Sequence, residues 1–335
     1  MTFHTSISNT TCKPQKLVIF IPAFLSVLFI IGFVLSALSL HTFWFRFKTW
    51  KTGMIIQFNL ALSDISIVPA APLMIIYFSM SNHWPFGQFL CQLKVFVLSI
   101  HMYGSIYFLT LVSVHRYITV VRLTKSSIFN NKRFVKSICM AIWIFLFINA
   151  LPFFFVLKTS EMSNITQCLS VHQNEMSSVY FTWSMVILFP GFVIPFGVSA
   201  ICYILLGSYI VKMDTSLSSG KAMKVKSMGM IAVSLVTFLV CCLPVQVSRL
   251  AAVTVKEFYP EKCELLYSIE NIYYTSFALA NVNCCLDPLL YWFSSGKFQA
   301  AFKSTLSLFR CHCKKENPSF NTDIQLQQQD PQIKQ

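Results

Sequence analysis

Asp64, Arg116, Arg249 and Asp287 are charged side chains set inside long apolar runs, and each poses a chemical question. A carboxylate at mid-membrane depth costs at least about 2.5 kcal/mol unless it gains partners. Asp64 and Asp287 therefore need a polar cavity; on residue type alone, Asp64 can persist as a protonated acid hydrogen-bonded within a bundle. Arg116 stands between His115 and Tyr117, near the end of a run from which a cation can snorkel to lipid headgroups. Arg249 lies beyond Pro244 in the apolar stretch Val245 to Val255, so it must face a cavity, pair with a carboxylate such as Glu270, or reach water. Its planar fork matches carboxylate or phosphate. No metal-ligand cluster and no Ser/His/Asp constellation converges from these runs, which points away from an enzyme.

The elements that must position these groups follow from composition. The chain has 335 residues, 55% hydrophobic and 11% charged. That leaves too little polar surface for a water-soluble globule of this size, so the solvent is mostly lipid. Seven runs are long enough to cross a hydrocarbon core: Leu17 to Trp44, Gly53 to Met80, Phe89 to Val121, Phe134 to Leu157, Ser178 to Val211, Met223 to Val255 and Leu265 to Phe293. Ten glycines, no polar and apolar alternation and runs longer than barrel strands exclude a transmembrane β-barrel. A soluble helical bundle would need amphipathic stripes, which these runs lack. The expected fold is all-α, a seven-transmembrane helix bundle followed by a short amphipathic cytoplasmic helix.

Lys and Arg set the orientation. They collect in alternate connections: Arg46, Lys48 and Lys51; Arg122, Lys125, Lys132, Arg133 and Lys136; Lys212, Lys221, Lys224 and Lys226; and the segment after the seventh run. These sides face the cytoplasm, so the N-terminus lies outside. The formal charge of +14 is accordingly a topology signal with affinity for anionic membrane lipid, and no evidence for nucleic acid. The chain divides into an extracellular N-terminus (1–16), the membrane domain (17–293), the amphipathic helix and basic segment (294–315) and a Gln-rich, disordered cytoplasmic tail (316–335).

Topology also sorts the twelve cysteines. Cys12, Cys91, Cys168 and Cys263 lie outside, an even number in an oxidising space, which allows two bridges in three connectivities. Six lie within spans as small apolar residues. Cys311 and Cys313 follow the amphipathic segment and are candidates for S-palmitoylation or simply reduced thiols. Asn9 and Asn164 fit N-glycosylation sequons on the outer side.

Several motifs fall in one order along the chain. The second run holds Asn59-Leu60-Ala61-Leu62-Ser63-Asp64 and Pro72; the third opens at Cys91 and closes with His115-Arg116-Tyr117; the fourth holds Trp143 and Pro152. The fifth holds Pro195 and Tyr203, the sixth Phe238 and Cys242-Leu243-Pro244, and the seventh Asn283 and Asp287-Pro288-Leu289-Leu290-Tyr291. In this order the chain resembles the rhodopsin-like G-protein-coupled receptors over almost its whole length. His101 to Thr110, the His83-Trp84-Pro85-Phe86-Gly87 loop and His115 are most similar to the purinergic nucleotide receptors and their succinate and oxoglutarate relatives.

The resemblance implies roles. His115, Arg116 and Tyr117 would form the G-protein switch, with Tyr203 and Tyr291 as its active-state partners when the sixth helix swings outward. Asp64 would bind a sodium ion with Ser105, Asn283 and Asp287; no other metal or cofactor is implied. The bridges would be Cys91 to Cys168 and Cys12 to Cys263. His115 departs from the usual acid and cannot form an ionic lock; Ser36 stands where Asn is usual and Cys242 where Trp is frequent.

Ligand contacts are expected at Arg249, Gln246, Phe277, Tyr103 and His101. Val95 and Phe277 occupy places where arginines often stand in that group, so the anion cradle is incomplete. Any second cation would come from Lys94, Lys158, Lys256 or Lys262, whose direction the sequence leaves open. A lipid or other small anion is favoured slightly over a nucleotide, and a transporter or channel is the alternative from another class. The partners expected are thus a heterotrimeric G protein, an extracellular anionic ligand and membrane lipid, in the plasma membrane.

Overall fold

An apolar run in lipid must satisfy its own backbone, and the runs of this chain do so as helices. A computed structural model describes residues 20–122, 128–162, 165–168, 177–212 and 218–316. Helix α1 is Phe20–Arg46, α2 Thr52–Ile65, α3 Ala71–Ser79 and α4 Gly87–Tyr117, the last continued by a π-helical turn, Ile118–Arg122. Next come α5 (Lys132–Ala150), α6 (Phe153–Val156), and a hairpin of β1 (Thr159–Met162) and β2 (Ile165–Cys168). Then follow α7 (Ser177–Leu188) and α8 (Ile194–Lys212), joined by a π-helical turn, Phe189–Val193. Another such turn, Thr237–Cys242, joins α9 (Ser218–Val236) to α10 (Leu243–Phe258). The described chain ends with α11 (Cys263–Ala280), α12 (Asn283–Ser294) and α13 (Gly296–Glu316).

Among the described residues, five helices are long and apolar enough to cross a membrane: Phe20–Arg46, Gly87–Val121, Lys132–Phe155, Phe181–Lys212 and Gly220–Phe258. The other two expected spans are each a pair of shorter helices. Between α2 and α3 the chain turns at residues 66–70, where Pro69 lacks an N–H and Pro72 follows within the next turn. Between α11 and α12 it turns at Asn281 and Val282; the Asn281 amide donates to the Phe277 carbonyl at 2.7 Å, and Pro288 cannot donate to the carbonyl four residues back. The hairpin is the small exception to an all-α fold. Its strands are antiparallel, with Thr159 opposite Cys168.

The pattern of burial suits a bundle in lipid. Large apolar side chains such as Ile30, Phe155, Ile204 and Val211 face outward, while Ser39, Thr42, Ser63, Asp64, Ser105, Asn283 and Asp287 are buried. Helix α4 is central, packing on α2, α5 and α8. One core cluster surrounds Ile106, Phe108 and Leu109 of α4, and a second, at the disulfide end, gathers Tyr77, Trp84, Cys91 and Tyr274. Two residues of the motifs tie helices together: Trp143 Nε1 donates to Asn59 Oδ1 at 2.8 Å, fixing α5 to α2.

Helix α13 covers the expected amphipathic segment and lies on α1 and α12. Phe298 packs on Phe43 and Tyr291, with ring centroids 4.9 and 5.8 Å apart, and Arg46 donates to Ser304 Oγ at 2.9 Å. The sequon residues Asn9 and Asn164, Cys12, the side chains of Cys311 and Cys313 and the tail from 317 lie outside the described residues.

Candidate functional site

At the disulfide end, a cavity of about 190 Å³ opens among α3, α4, α10 and α11. Cys91 and Cys168 are bonded, with Cα atoms 5.6 Å apart, so the hairpin is pinned to the start of α4 beside this cavity. Trp84 reinforces the arrangement: its backbone N–H donates to the Thr166 carbonyl at 2.7 Å, and its indole N–H to the Gly87 carbonyl at 2.7 Å. Cys263 is also in a disulfide, with its partner outside the described residues.

Of the residues expected to contact the ligand, Arg249, Tyr103, His101 and Phe277 line the cavity and Gln246 does not. Gln246 is instead buried beneath Arg249 and orients it. Arg249 Nη2 donates to Gln246 Oε1 and to the Tyr103 hydroxyl, each at 2.7 Å. Tyr103 is held in turn by Gly191, where an added Cβ would come within 2.8 Å of the Tyr103 ring. His101 is committed elsewhere: its Nδ1 lies 3.0 Å from the Ser63 carbonyl, which stitches α4 to α2 at the cavity floor. Val95 and Cys242 complete an apolar wall.

Lys94 and Lys256 line the same cavity, whereas Lys158 and Lys262 are not among its lining residues. Lys262 stacks over Tyr259 at 4.8 Å. Lys94 is only 3% exposed. Its ammonium sits 4.7 Å from the Tyr77 ring centroid and 4.5 Å from that of Trp84, a cage of two π faces. Its place three residues after a disulfide-pinned cysteine is the one sequence signal for it; the two aromatic partners come from other elements.

Deeper, the midplane carboxylates meet. Ser105 Oγ donates to Asp64 Oδ1 at 3.3 Å, and Asp287 and Tyr291 lie beside Asp64. Asp64 Oδ2, both Asp287 carboxylate oxygens and Asn283 Oδ1 are buried without a hydrogen-bond partner. A cluster of buried oxygen donors with two carboxylates suits a small hard cation, and burial of this kind is costly for carboxylates left alone. Ser36 Oγ, on α1, is likewise buried without a partner and does not reach the cluster.

The end bearing Arg116 is arranged differently from a simple three-residue switch. His115 turns away from Arg116, its Nε2 3.0 Å from Thr52 Oγ1 on α2. Arg116 Nη2 donates to the Ser294 carbonyl at 3.2 Å and to Ser294 Oγ, at the end of α12. Tyr203 and Tyr291 are buried and their hydroxyls have no partner; neither is bonded to Arg116. Tyr117, next to Arg116 in sequence, is half-buried. Next to Arg116, α9 packs along α12. Gly229 permits that contact, since a Cβ there would come within 2.8 Å of the Phe293 ring. Thr52 and Ser294 are not among the residues that the sequence singles out, and as common hydroxyls at helix ends they carry no signal of their own.

Residues 40–291 match the model of a family described as 7 transmembrane receptor (rhodopsin family). Purinoceptor 2 of Homo sapiens is 32% identical over 275 residues, which cover 82% of this chain and 73% of that protein. Cysteinyl leukotriene receptor 1 of Homo sapiens is 30% identical over 290 residues, 86% of this chain and 84% of its own length. Purinoceptor 4 of Rattus norvegicus is 29% identical over 281 residues, 84% of this chain and 77% of its own.

Proposed function

Because this chain belongs to the rhodopsin family of seven-transmembrane receptors, we propose that it is a plasma-membrane receptor for a small anionic ligand and signals through a heterotrimeric G protein. The family is one of receptors, not enzymes. In this reading the helix pairs α2–α3 and α11–α12 complete the seven spans, the disulfide end faces outward, and the Arg116 end faces the cytoplasm. The basic connections support that orientation.

The observation that carries the ligand class is the convergence of Arg249 and Lys94 on one cavity whose remaining wall is largely apolar and aromatic. Relatives are named for purines and for cysteinyl leukotrienes, so the family neighbourhood spans both ligand types. Val95 and Phe277 in the wall favour an amphiphilic anion over a nucleotide, whose clustered phosphates want clustered cations.

Transmission follows from one continuous element. The helix Gly220–Phe258 carries Arg249 near one end, and its other end packs on α12. A π-helical turn and Pro244 lie between them, a natural place to bend. An anion drawing on Arg249 biases the inner half to leave α12, opens the cleft and releases Arg116 from Ser294. Only a ligand that binds the open form better can do this. We further propose that a sodium ion held by Asp64, Ser105, Asn283 and Asp287 favours the closed form.

The test is nucleotide exchange on co-expressed G proteins, screened with carboxylates, lysolipids and nucleotides. With an agonist in hand, Arg249→Ala should weaken it by about 2–5 kcal/mol, the cost of breaking a buried charge contact. Arg249→Lys should fall between, since it keeps charge without the fork. Unchanged potency in Arg249→Ala at normal surface expression would remove the anion reading; solute flux without exchange would replace the receptor by a transporter.

A further inference from the structure

Lys94 poses a problem that the ligand class alone does not resolve. A buried ammonium has three N–H donors to place. Among the described residues its one hydrogen bond goes to the Cys168 carbonyl at 3.4 Å, longer than the usual range of about 2.7–3.2 Å. The Tyr77 and Trp84 faces stabilise the charge without satisfying the donors. Two N–H groups thus remain for whatever fills the cavity that Lys94 lines.

Its position relative to Arg249 matters as much. Arg249 is bonded to Tyr103, nine residues after Lys94 on the same helix. Nine residues are roughly 13 Å along a helix axis, so Lys94 and the Tyr103 that holds Arg249 leave α4 at different depths. Their partners do not overlap: Tyr77, Trp84 and Cys168 for Lys94, Tyr103 and Gln246 for Arg249. Between them the α4 residues that line the cavity are Val95, Leu98, Ser99, His101 and Met102, and Phe277 lines it from α11. The cavity therefore holds Lys94 and Arg249 at separate places, with Lys256 as a further lining cation and a largely apolar stretch between the first two.

Resting on the anion reading above, we infer that the ligand is an elongated amphiphile with an acidic group at each end, one held by Arg249 and the other by Lys94. A monoanion would leave Lys94 or Arg249 unused. A compact polyanion would place its charges together and set its middle against Val95 and Met102. Lys94 is then the residue that selects two-ended acids over one-ended acids of equal length.

The experiment uses the full-length receptor, purified, with thermal stabilisation as the readout so that binding is scored whether or not it activates. The probes are α,ω-dicarboxylic acids of rising chain length and the monocarboxylic acids of the same lengths. In the unaltered receptor, long dicarboxylic acids should act at concentrations roughly ten- to a hundredfold lower than their partners, as one more charged hydrogen-bonded contact provides. Lys94→Gln should erase that difference while monoacids still bind, and Arg249→Gln should abolish stabilisation by both. Lys94→Arg, which keeps the charge but carries it on a longer side chain with a planar head, should retain the preference with its best chain length displaced. Should Lys94→Gln not fold, judged by its ligand-free melting, the displacement in Lys94→Arg decides the question. A preference that survives Lys94→Gln, an optimum unmoved in Lys94→Arg, or no preference in the unaltered receptor overturns this inference alone. Failure of every acid to stabilise the unaltered receptor overturns the anion reading with it.

Discussion

Replacing Ser294 by alanine removes one of the two acceptors that hold Arg116 in the closed cleft. Arg116 Nη2 donates to both the Ser294 carbonyl and its hydroxyl, and the carbonyl bond, 3.2 Å long, survives the substitution. A hydrogen bond to a charged group contributes about 1.5–3 kcal/mol. The lower end applies here, because the guanidinium keeps the carbonyl and Arg116 is only partly buried. The contact biases the equilibrium only to the extent that it is lost when α9 leaves α12. In the opening proposed above, Arg116 would move toward Tyr203 and Tyr291, whose buried hydroxyls have no partner in this structure, and the bond to Ser294 would be lost. About 1.5 kcal/mol taken from the closed state raises the open-to-closed ratio roughly tenfold. Ligand-free nucleotide exchange on a co-expressed G protein, normalised to surface receptor, should therefore rise by about that factor while the open form remains a minority. Ser294→Thr keeps a hydroxyl and should stay near the starting level. Basal exchange unchanged in Ser294→Ala, with agonist response intact, would show that the Arg116 tie does not hold the cleft shut.

Arg116→Ala should abolish agonist-driven exchange while leaving surface expression largely intact; full signalling would reduce Arg116 to a headgroup anchor. Asp64→Asn should remove any sodium dependence of agonist affinity, read by titrating sodium against potassium at fixed ionic strength, and persistence of the sodium effect would move the ion elsewhere. Peptide mapping without reduction should recover Cys91 joined to Cys168 and Cys263 joined to Cys12, and a free Cys12 thiol would reject the second pairing.

What is legible in the sequence divides from what is not along a physical line. Membrane depth constrains each charge by itself, so Asp64, Arg116, Arg249 and Asp287 stand out one at a time from the cost of their surroundings. Helix identity is likewise local, since long apolar runs admit little else. The two breaks are less so: Pro69 and Pro72 mark the first in retrospect, yet prolines also occur in the unbroken helix from Phe181 to Lys212. Whether a proline kinks or divides a span depends on how the neighbouring helices hold the chain around it. In that helix Tyr107 of α4 donates to the Pro190 carbonyl at 2.6 Å, and Thr110 to that of Pro195 at 3.2 Å.

Partners are a different matter, because they are set by packing between residues far apart in the chain. The missing acid beside Arg116 is plain in the sequence, but nothing near Arg116 points to Ser294, 178 positions away. Adjacency to Arg249 on the same helix makes Gln246 resemble a ligand contact, and the packing of α10 turns it inward to orient that arginine. Lys94 shows the same limit from the other side. As a residue type it is one of four lysines with no assigned direction, and its role follows only once Tyr77 and Trp84, from α3 and the loop after it, close around it. A charge that a sequence can locate but not orient becomes informative when the cage is seen, since an aromatic cage holds a cation in place without neutralising it. Lys94 therefore keeps its need for a counter-charge at the cavity wall, which an acidic end of the proposed ligand would supply.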